Sequence, residues 1–207
     1  MRSNERCLVI IPIIHTAADM ASLTSSIPRD QKDEVFALAL WEKVFGYLRH
    51  WSPGFLKGLK VYQDGLPDTS EDNLNKILAQ AQSKNYDVLR WLRISGAVIM
   101  GTESIHLLWE EYQLSADRHH APDEESWAQA TLKYLNRKDQ LLADRDAYIA
   151  QRIDSTLMPG EVGLLFIGLG HNIQPLLEGR MRLREPGMFS HDRLSAEWRR
   201  ELVCQNV

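Results

Sequence analysis

Two cysteines in 207 residues, Cys7 and Cys204, with no C-x-x-C spacing, exclude a disulfide framework and thiolate zinc sites. A single bridge joining the two ends of the chain stays open. No apolar run approaches the roughly 18 residues that a membrane helix needs. Leu8 to Ile14 is short for a signal-peptide core, and His15 follows it with no small-residue cleavage site. The expectation is a cytoplasmic protein with no membrane partner. Charge of one sign is also lacking: 24 Lys and Arg against 28 Asp and Glu leave a net charge of -4. That balance gives no electrostatic footprint for DNA or RNA, so no nucleic-acid partner is expected. There is no internal repeat and no low-complexity stretch. Neither G-x-S-x-G nor H-E-x-x-H occurs, so there is no nucleophile elbow and no helical zinc pair.

What is present is the composition of a globular chain, 44% hydrophobic and 25% charged, expected to form one α/β domain over 1–207. Leu8 to Ile14 is apolar throughout, as in a strand covered on both faces of a parallel sheet. Pro12 inside it removes a ladder donor and implies a bulge or an edge position. After a polar stretch, Thr16 to Ser26, helical spacing over Gln31 to His50 places Val35, Leu38, Trp41, Val44, Phe45 and Leu48 on one face. Trp51-Ser52-Pro53-Gly54 breaks that helix. A short strand then ends in the turn dipeptide Asp64-Gly65.

Helices are predicted over Ser70 to Ser83, capped by Ser70, and over Asn85 to Ile94. GAVIMGT reads as the third strand, with a helix over Ser104 to Tyr112. Asp117 to Ser126 reads as an exposed loop, and a long helix is expected over about Ser126 to Leu157. VGLLFIGLG is the clearest strand. A short helix at His171 to Leu177, a strand at Arg180 to Arg184 and a helix at Leu194 to Val203 complete the chain. The predicted fold is a layered α/β domain. Its central sheet is mostly parallel or mixed, of about five strands flanked by helices, with a helical insertion around 105–157.

Four apolar runs each end on one ionisable residue: His15, Asp64, Glu103 and His171. In an open α/β sheet, side chains at the carboxyl ends of strands share one crevice. Two imidazoles and two carboxylates there would make a metal site or an acid/base site. Each also has a structural reading: a core or helix-entry imidazole for the histidines, a helix cap for Glu103, a local turn bond for Asp64. Arg145-Asp146 reads either as a solvated helix face or as part of the site. His119-His120 with Asp117 and Asp123 reads as a polar loop. GLGHNI begins like a dinucleotide fingerprint, but Ile173 stands where its third glycine belongs, with Glu185 as the ribose-binding acid. Arg180, Arg182 and Arg184 read as the solvent side of an edge strand, and Trp91, Trp109 and Trp127 as packing residues.

Three pieces together resemble the TraB/Tiki superfamily, which takes in the erythromycin esterases and the ChaN-type haem-iron proteins. They are PIIH, Pro12 to His15; MGTE, Met100 to Glu103; and Arg145-Asp146 followed by Gly168 to His171. Order and placement match across nearly the whole chain, although each motif is short. Proline stands where the family pattern has its first glycine. The resemblance implies a crevice at the carboxyl edge of the sheet, where His15, Glu103 and His171 converge and Arg145 reaches in. It implies metal-dependent proteolysis in the Tiki branch, metal-free acid/base ester hydrolysis in the esterase branch, and haem binding in the ChaN branch.

The leading expectation is a metal-dependent hydrolase of a peptide or ester bond. Mn²⁺ or Zn²⁺ would be held by His15, Glu103 and His171, and would activate a water. Arg145 would steady the oxyanion. Asp64, Arg145 and Asn172 are the expected substrate contacts. Without a metal, His15 or His171 becomes the general base, and the same four residues, His15, Glu103, Arg145 and His171, carry catalysis. The alternative is a non-enzymatic binding or sensing module for an anionic metabolite or a haem-like ligand. A small-molecule or peptide substrate is the expected partner, and a homo-oligomer is compatible with the chain.

Overall fold

The computed structural model describes residues 4–15 and 31–203. The strands are β1 (Cys7–Ile13), β2 (Lys60–Gln63), β3 (Val98–Met100), β4 (Val162–Gly168) and β5 (Arg182–Arg184). The helices described are α1 (Gln31–Leu48), α2 (Pro53–Leu56), α3 (Glu71–Gln80), α4 (Lys84–Ile94), α5 (Ile105–His119), α6 (Glu124–Thr156), α7 (Gln174–Leu177) and α8 (His191–Val203). One five-stranded sheet runs in the order β3-β2-β4-β1-β5, and all four strand pairings are parallel. The expected α/β architecture is therefore the observed one, with an all-parallel sheet.

Parallel strands need covering on both faces, and two core clusters supply it. On one face Ile11, Ile13, Val61, Leu164 and Phe166 pack with Trp41 and Val44 of α1 and Leu89 of α4. On the other, Leu8, Ile10, Tyr62, Leu165 and Ile167 pack with Ile149 and Ile153 of α6 and Leu177 of α7. Right-handed crossovers demand this division: connections running one way along the sheet lie on one face, those running the other way on the opposite face. The chain thus follows β1 and β4, which are neighbours, with helices on opposite faces. Their shared carboxyl edge is a topological switch point, where open α/β sheets bind ligands.

Pro12 sits inside β1 without breaking it. In a parallel strand, the N–H and C=O of one residue point to the same neighbour and alternate along the chain. Cys7 donates to Glu161 O and Ile13 accepts from Leu169 N, both on the β4 side, while Arg6 accepts from Arg182 N on the β5 side. Pro12 therefore faces the β5 side, where pairing has already stopped at Val9 and Arg184. The edge reading holds, and no bulge is needed.

Several expectations move. The buried stripe of α1 is Ala37, Leu40, Trp41, Val44 and Leu48, while Val35 and Leu38 are exposed. Spacing gave the core face from Trp41 to Leu48, with Phe45 packed beside it, and missed in the first turns, where Ala37 and Leu40 are buried instead of Val35 and Leu38. The loop expected over Asp117 to Ser126 shrinks to a short turn. Helix α5 continues through His119, His120 caps it, and Asp123 caps α6 by accepting from Ser126 N at 2.8 Å. Trp109 and Trp127 are exposed, Trp109 lying against Tyr112 of the same helix; Trp91 packs edge-on to Phe45 as expected. The GLGHNI segment leads into a single helical turn, α7, too short to present the long dinucleotide-binding helix. Arg180 and Arg182 pair with Asp154 and Glu5, as the edge-strand reading implies. Cys7 is half-buried; Cys204, Asp19 and the stretch Thr16 to Ser26 lie outside the described residues.

Candidate functional site

The turn after β2 is the foundation of the site. Asp64 N–H donates to Phe166 O of β4 at 3.1 Å, and Gly65 takes a left-handed φ of 72°. Gly65 N–H then donates to Glu103 Oε1 at 2.7 Å. The β3 loop is zipped to this turn: Thr102 N and Glu103 N both donate to Leu66 O, and Asp68 N donates to Glu103 O at 2.7 Å. So close an approach needs a glycine at 101. A Cβ there would lie 2.5 Å from Pro67 O and 2.7 Å from Asp68 Cα.

The Asp64 side chain is 1% exposed and collects the neighbouring loops. Its Oδ2 accepts from Gly168 N at 2.6 Å and lies 3.0 Å from His15 Nε2. His171 Nε2 stands 3.4 Å from the same oxygen. Gly168 is required here as well, since a Cβ would meet Asp64 Oδ2 at 2.9 Å and His15 Nε2 at 3.3 Å. Asp64 Oδ1 is buried with no hydrogen-bond partner among the described residues. Burial pushes the Asp64 carboxyl upward, but the two imidazoles and the Gly168 amide outweigh it, and the group is held well below the usual carboxylate range. An ionised carboxylate only accepts, so His15 Nε2 carries the proton of that bond and Nδ1 is the basic nitrogen of neutral His15.

A second carboxylate lies behind His171. Asp146 Oδ1 accepts from His171 Nδ1 at 2.6 Å, and Asp146 Oδ2 accepts from Asn172 N at 3.0 Å. Burial lowers the His171 pKa, yet the bond to Asp146 and the charge of Asp64 raise it further, so the net shift is upward. Both carboxylates therefore stabilise the imidazolium form of His171.

Glu103 and Arg145 form a separate unit. Arg145 Nε donates to Glu103 Oε2 at 2.6 Å and Nη2 to Oε1 at 2.5 Å, while Nη1 donates to Glu111 Oε2 at 2.5 Å. Glu103 is fully buried and Arg145 nearly so. This bidentate pair holds the Asp64-Gly65 turn in place through Gly65 N–H.

Of the sequence-predicted residues, His15, Asp64 and His171 are brought together. Glu103 and Arg145 meet each other instead of the histidines. The expected ligand set His15, Glu103 and His171 does not fit Mn²⁺ or Zn²⁺, because both Glu103 oxygens already accept from N–H donors and a guanidinium stands beside them. No group of three or more His, Cys, Asp and Glu side chains is assembled for a metal among the described residues. Arg145 spends Nε, Nη1 and Nη2 on carboxylates, so it is a positioning residue rather than an oxyanion donor or a substrate contact. Asp64 is buried under the histidines and likewise does not face a substrate. Asn172 lines the adjoining cleft, as a substrate contact requires.

Asp146 enters the sequence reading only as the neighbour of Arg145, with no role of its own, and Glu111 does not enter it. For Asp146 the signal was present: it follows Leu142 by one helical turn and precedes Ile149 by another, a charge on an apolar stripe. Glu111 is partly exposed on α5 and carries no such mark. Comparison of the chain with protein-family models, with curated proteins and with solved structures gives no match. No helix among the described residues is long and apolar enough to cross a membrane.

Proposed function

We propose that this protein is a hydrolase of a small ester or peptide bond, working by acid/base catalysis on a histidine pair. One observation carries the reading: two imidazole Nε2 edges face a single buried carboxylate oxygen, and a second carboxylate fixes the far side of one ring. Two imidazoles gathered on one carboxylate oxygen place a proton donor and a proton acceptor within reach of one bound substrate. The resemblance to the TraB/Tiki superfamily, whose esterase branch would work by metal-free acid/base hydrolysis, supports the same chemistry.

In this mechanism His15, oriented by its Nε2 contact with Asp64, takes up the proton of the attacking water. The water oxygen bonds to the acyl carbon. His171, cationic between Asp64 and Asp146, donates its Nε2 proton to the departing oxygen or nitrogen as the acyl bond breaks. Its 3.4 Å separation from Asp64 is longer than an ordinary hydrogen bond, so that carboxylate holds the proton only loosely. An acid and an alcohol or amine leave, and proton exchange with solvent resets the two rings. Glu103 and Arg145 hold the Asp64 turn throughout. Glu103, saturated by its donors, serves this turn and not a metal.

The test is a panel of small esters and short peptides, assayed with and without chelator. Turnover should survive chelation, and His15→Gln and His171→Gln should each lose about 10²- to 10⁴-fold in kcat/KM. A protein silent on every substrate, or variants as active as the parent, would overturn the reading. Loss of turnover on chelation, restored by Mn²⁺ or Zn²⁺, would return the metal to the mechanism. The binding-module alternative for an anionic metabolite is disfavoured by the cleft beside His171. Its charged lining apart from histidine is Glu185 and Asp192, with no Lys or Arg among the described residues.

A further inference from the structure

Beside His171 the sheet narrows and a cleft opens. Strand β5 stops at Arg184, opposite Val9, and β1 runs on from Ile10 to Ile13 with no partner on that side among the described residues. The shelf left over holds about 440 Å³, within the span of roughly 300–1,000 Å³ usual for small-molecule sites. Its floor is apolar, built from Ile10, Pro12, Ile167 and Ile173, and His171 closes one end.

The opposite rim is acidic. Glu185 Oε1 accepts from Gln174 Nε2 at 3.0 Å, and Oε2 accepts from His191 N at 3.3 Å. Both donors are neutral, so the carboxylate is fixed in place without its charge being cancelled. Among the described residues no Lys or Arg pairs with Glu185 or lines the cleft. Asp192, fully exposed at the start of α8, adds a second negative charge at the mouth.

We propose that this cleft is the substrate site and selects a small amphipathic ester bearing a positively charged amino group. The apolar part packs on the Ile10, Pro12, Ile167 and Ile173 floor, the cationic group faces Glu185 and Asp192, and the acyl carbon lies at His171. Substrate selection in this form rests on the hydrolase reading. The charge preference of the cleft does not.

Three butyrate esters of similar size test it: butyrylcholine, its neutral isostere 3,3-dimethylbutyl butyrate, and anionic 4-butyryloxybutanoate. The cationic ester should exceed the neutral one roughly tenfold in kcat/KM, and the anionic one should be poorest. In Glu185→Gln with Asp192→Asn, the cationic-to-neutral ratio should fall to within about twofold of unity. Equal rates on all three esters, or a ratio unchanged in the double variant, would overturn the proposal.

Calorimetric titration with hexyltrimethylammonium and with hexanoate separates this inference from the hydrolase reading. Ammonium binding that the double variant loses, in a protein that cleaves no ester, would sustain the cleft and remove the enzyme. Failure to bind the ammonium more tightly than hexanoate would remove the cleft, whatever the turnover. Asp192→Asn alone, at an exposed position, should lower the ratio in the same direction and covers the case of a double variant that does not fold.

Discussion

At the scale of single residues, the site depends on what is missing as much as on what is charged. Gly168 has no side chain where a Cβ would touch Asp64 Oδ2 at 2.9 Å. Gly168→Ala should therefore push the carboxylate away from both imidazoles. Turnover should fall by at least tenfold and stability by about 1–3 kcal/mol, read by ester assay and urea denaturation. The charge on His171 makes a second prediction. Its folded pKa is raised, so its contribution to stability is complete below the ordinary histidine value near 6.5 and is lost as pH rises through the folded value. Asp64 is depressed, so its contribution is complete above the ordinary carboxylate value of 3.8 and is lost as pH falls through the folded value. The stability difference between the protein and His171→Gln should thus be largest between about pH 4 and 6.5 and shrink on either side. Denaturation midpoints across pH 3 to 9 would show it, and a flat difference would contradict the charge assignment.

At the scale of elements, each of the four strand-end residues was visible because a mostly apolar run is easy to find and an ionisable residue stands within three positions of the strand's end. What those residues do was not visible, because partner choice depends on which strands adjoin. Glu103 and His15 look alike as strand-end groups, but β3 lies at one edge of the sheet and β1 lies next to β4. Glu103 consequently reaches the β2 turn and Arg145, and His15 reaches Asp64 beside β4. The faces of α1 and the length of α5 were misplaced for a related reason: spacing reports a period, while the burial of a given stripe depends on what lies over it. Gly101 carries the element-scale prediction. Backbone atoms of Pro67 and Asp68 leave no room for a methyl group, so Gly101→Ala should unzip the β2 and β3 loops. A loss of at least about 3 kcal/mol in chemical denaturation is expected, more than at Gly168, where a side chain can yield. A cost below about 1 kcal/mol would mean that the two loops do not approach as described.

At the scale of the whole molecule, stability is unevenly distributed along α6. Its buried residues begin only at Leu141, and among the described residues the preceding turns pack on α5 through contacts such as Arg137 with Glu110 and Arg118 over Tyr134. Amides over 115–135 should exchange with deuterium at least tenfold faster than those over 141–153. Uniform protection along the helix would show that another layer covers its outer half. The inner half has a different character, because consecutive residues there grip different loops: Arg145 holds the β3 loop through Glu103, and Asp146 holds the β4 loop through His171 and Asn172. A rigid rod gripping two objects at adjacent points cannot release one and keep the other. Any turn of α6 about its own axis would slacken both at once, so a pull on the far tip of the hairpin has a mechanical route to the proton-bearing rings.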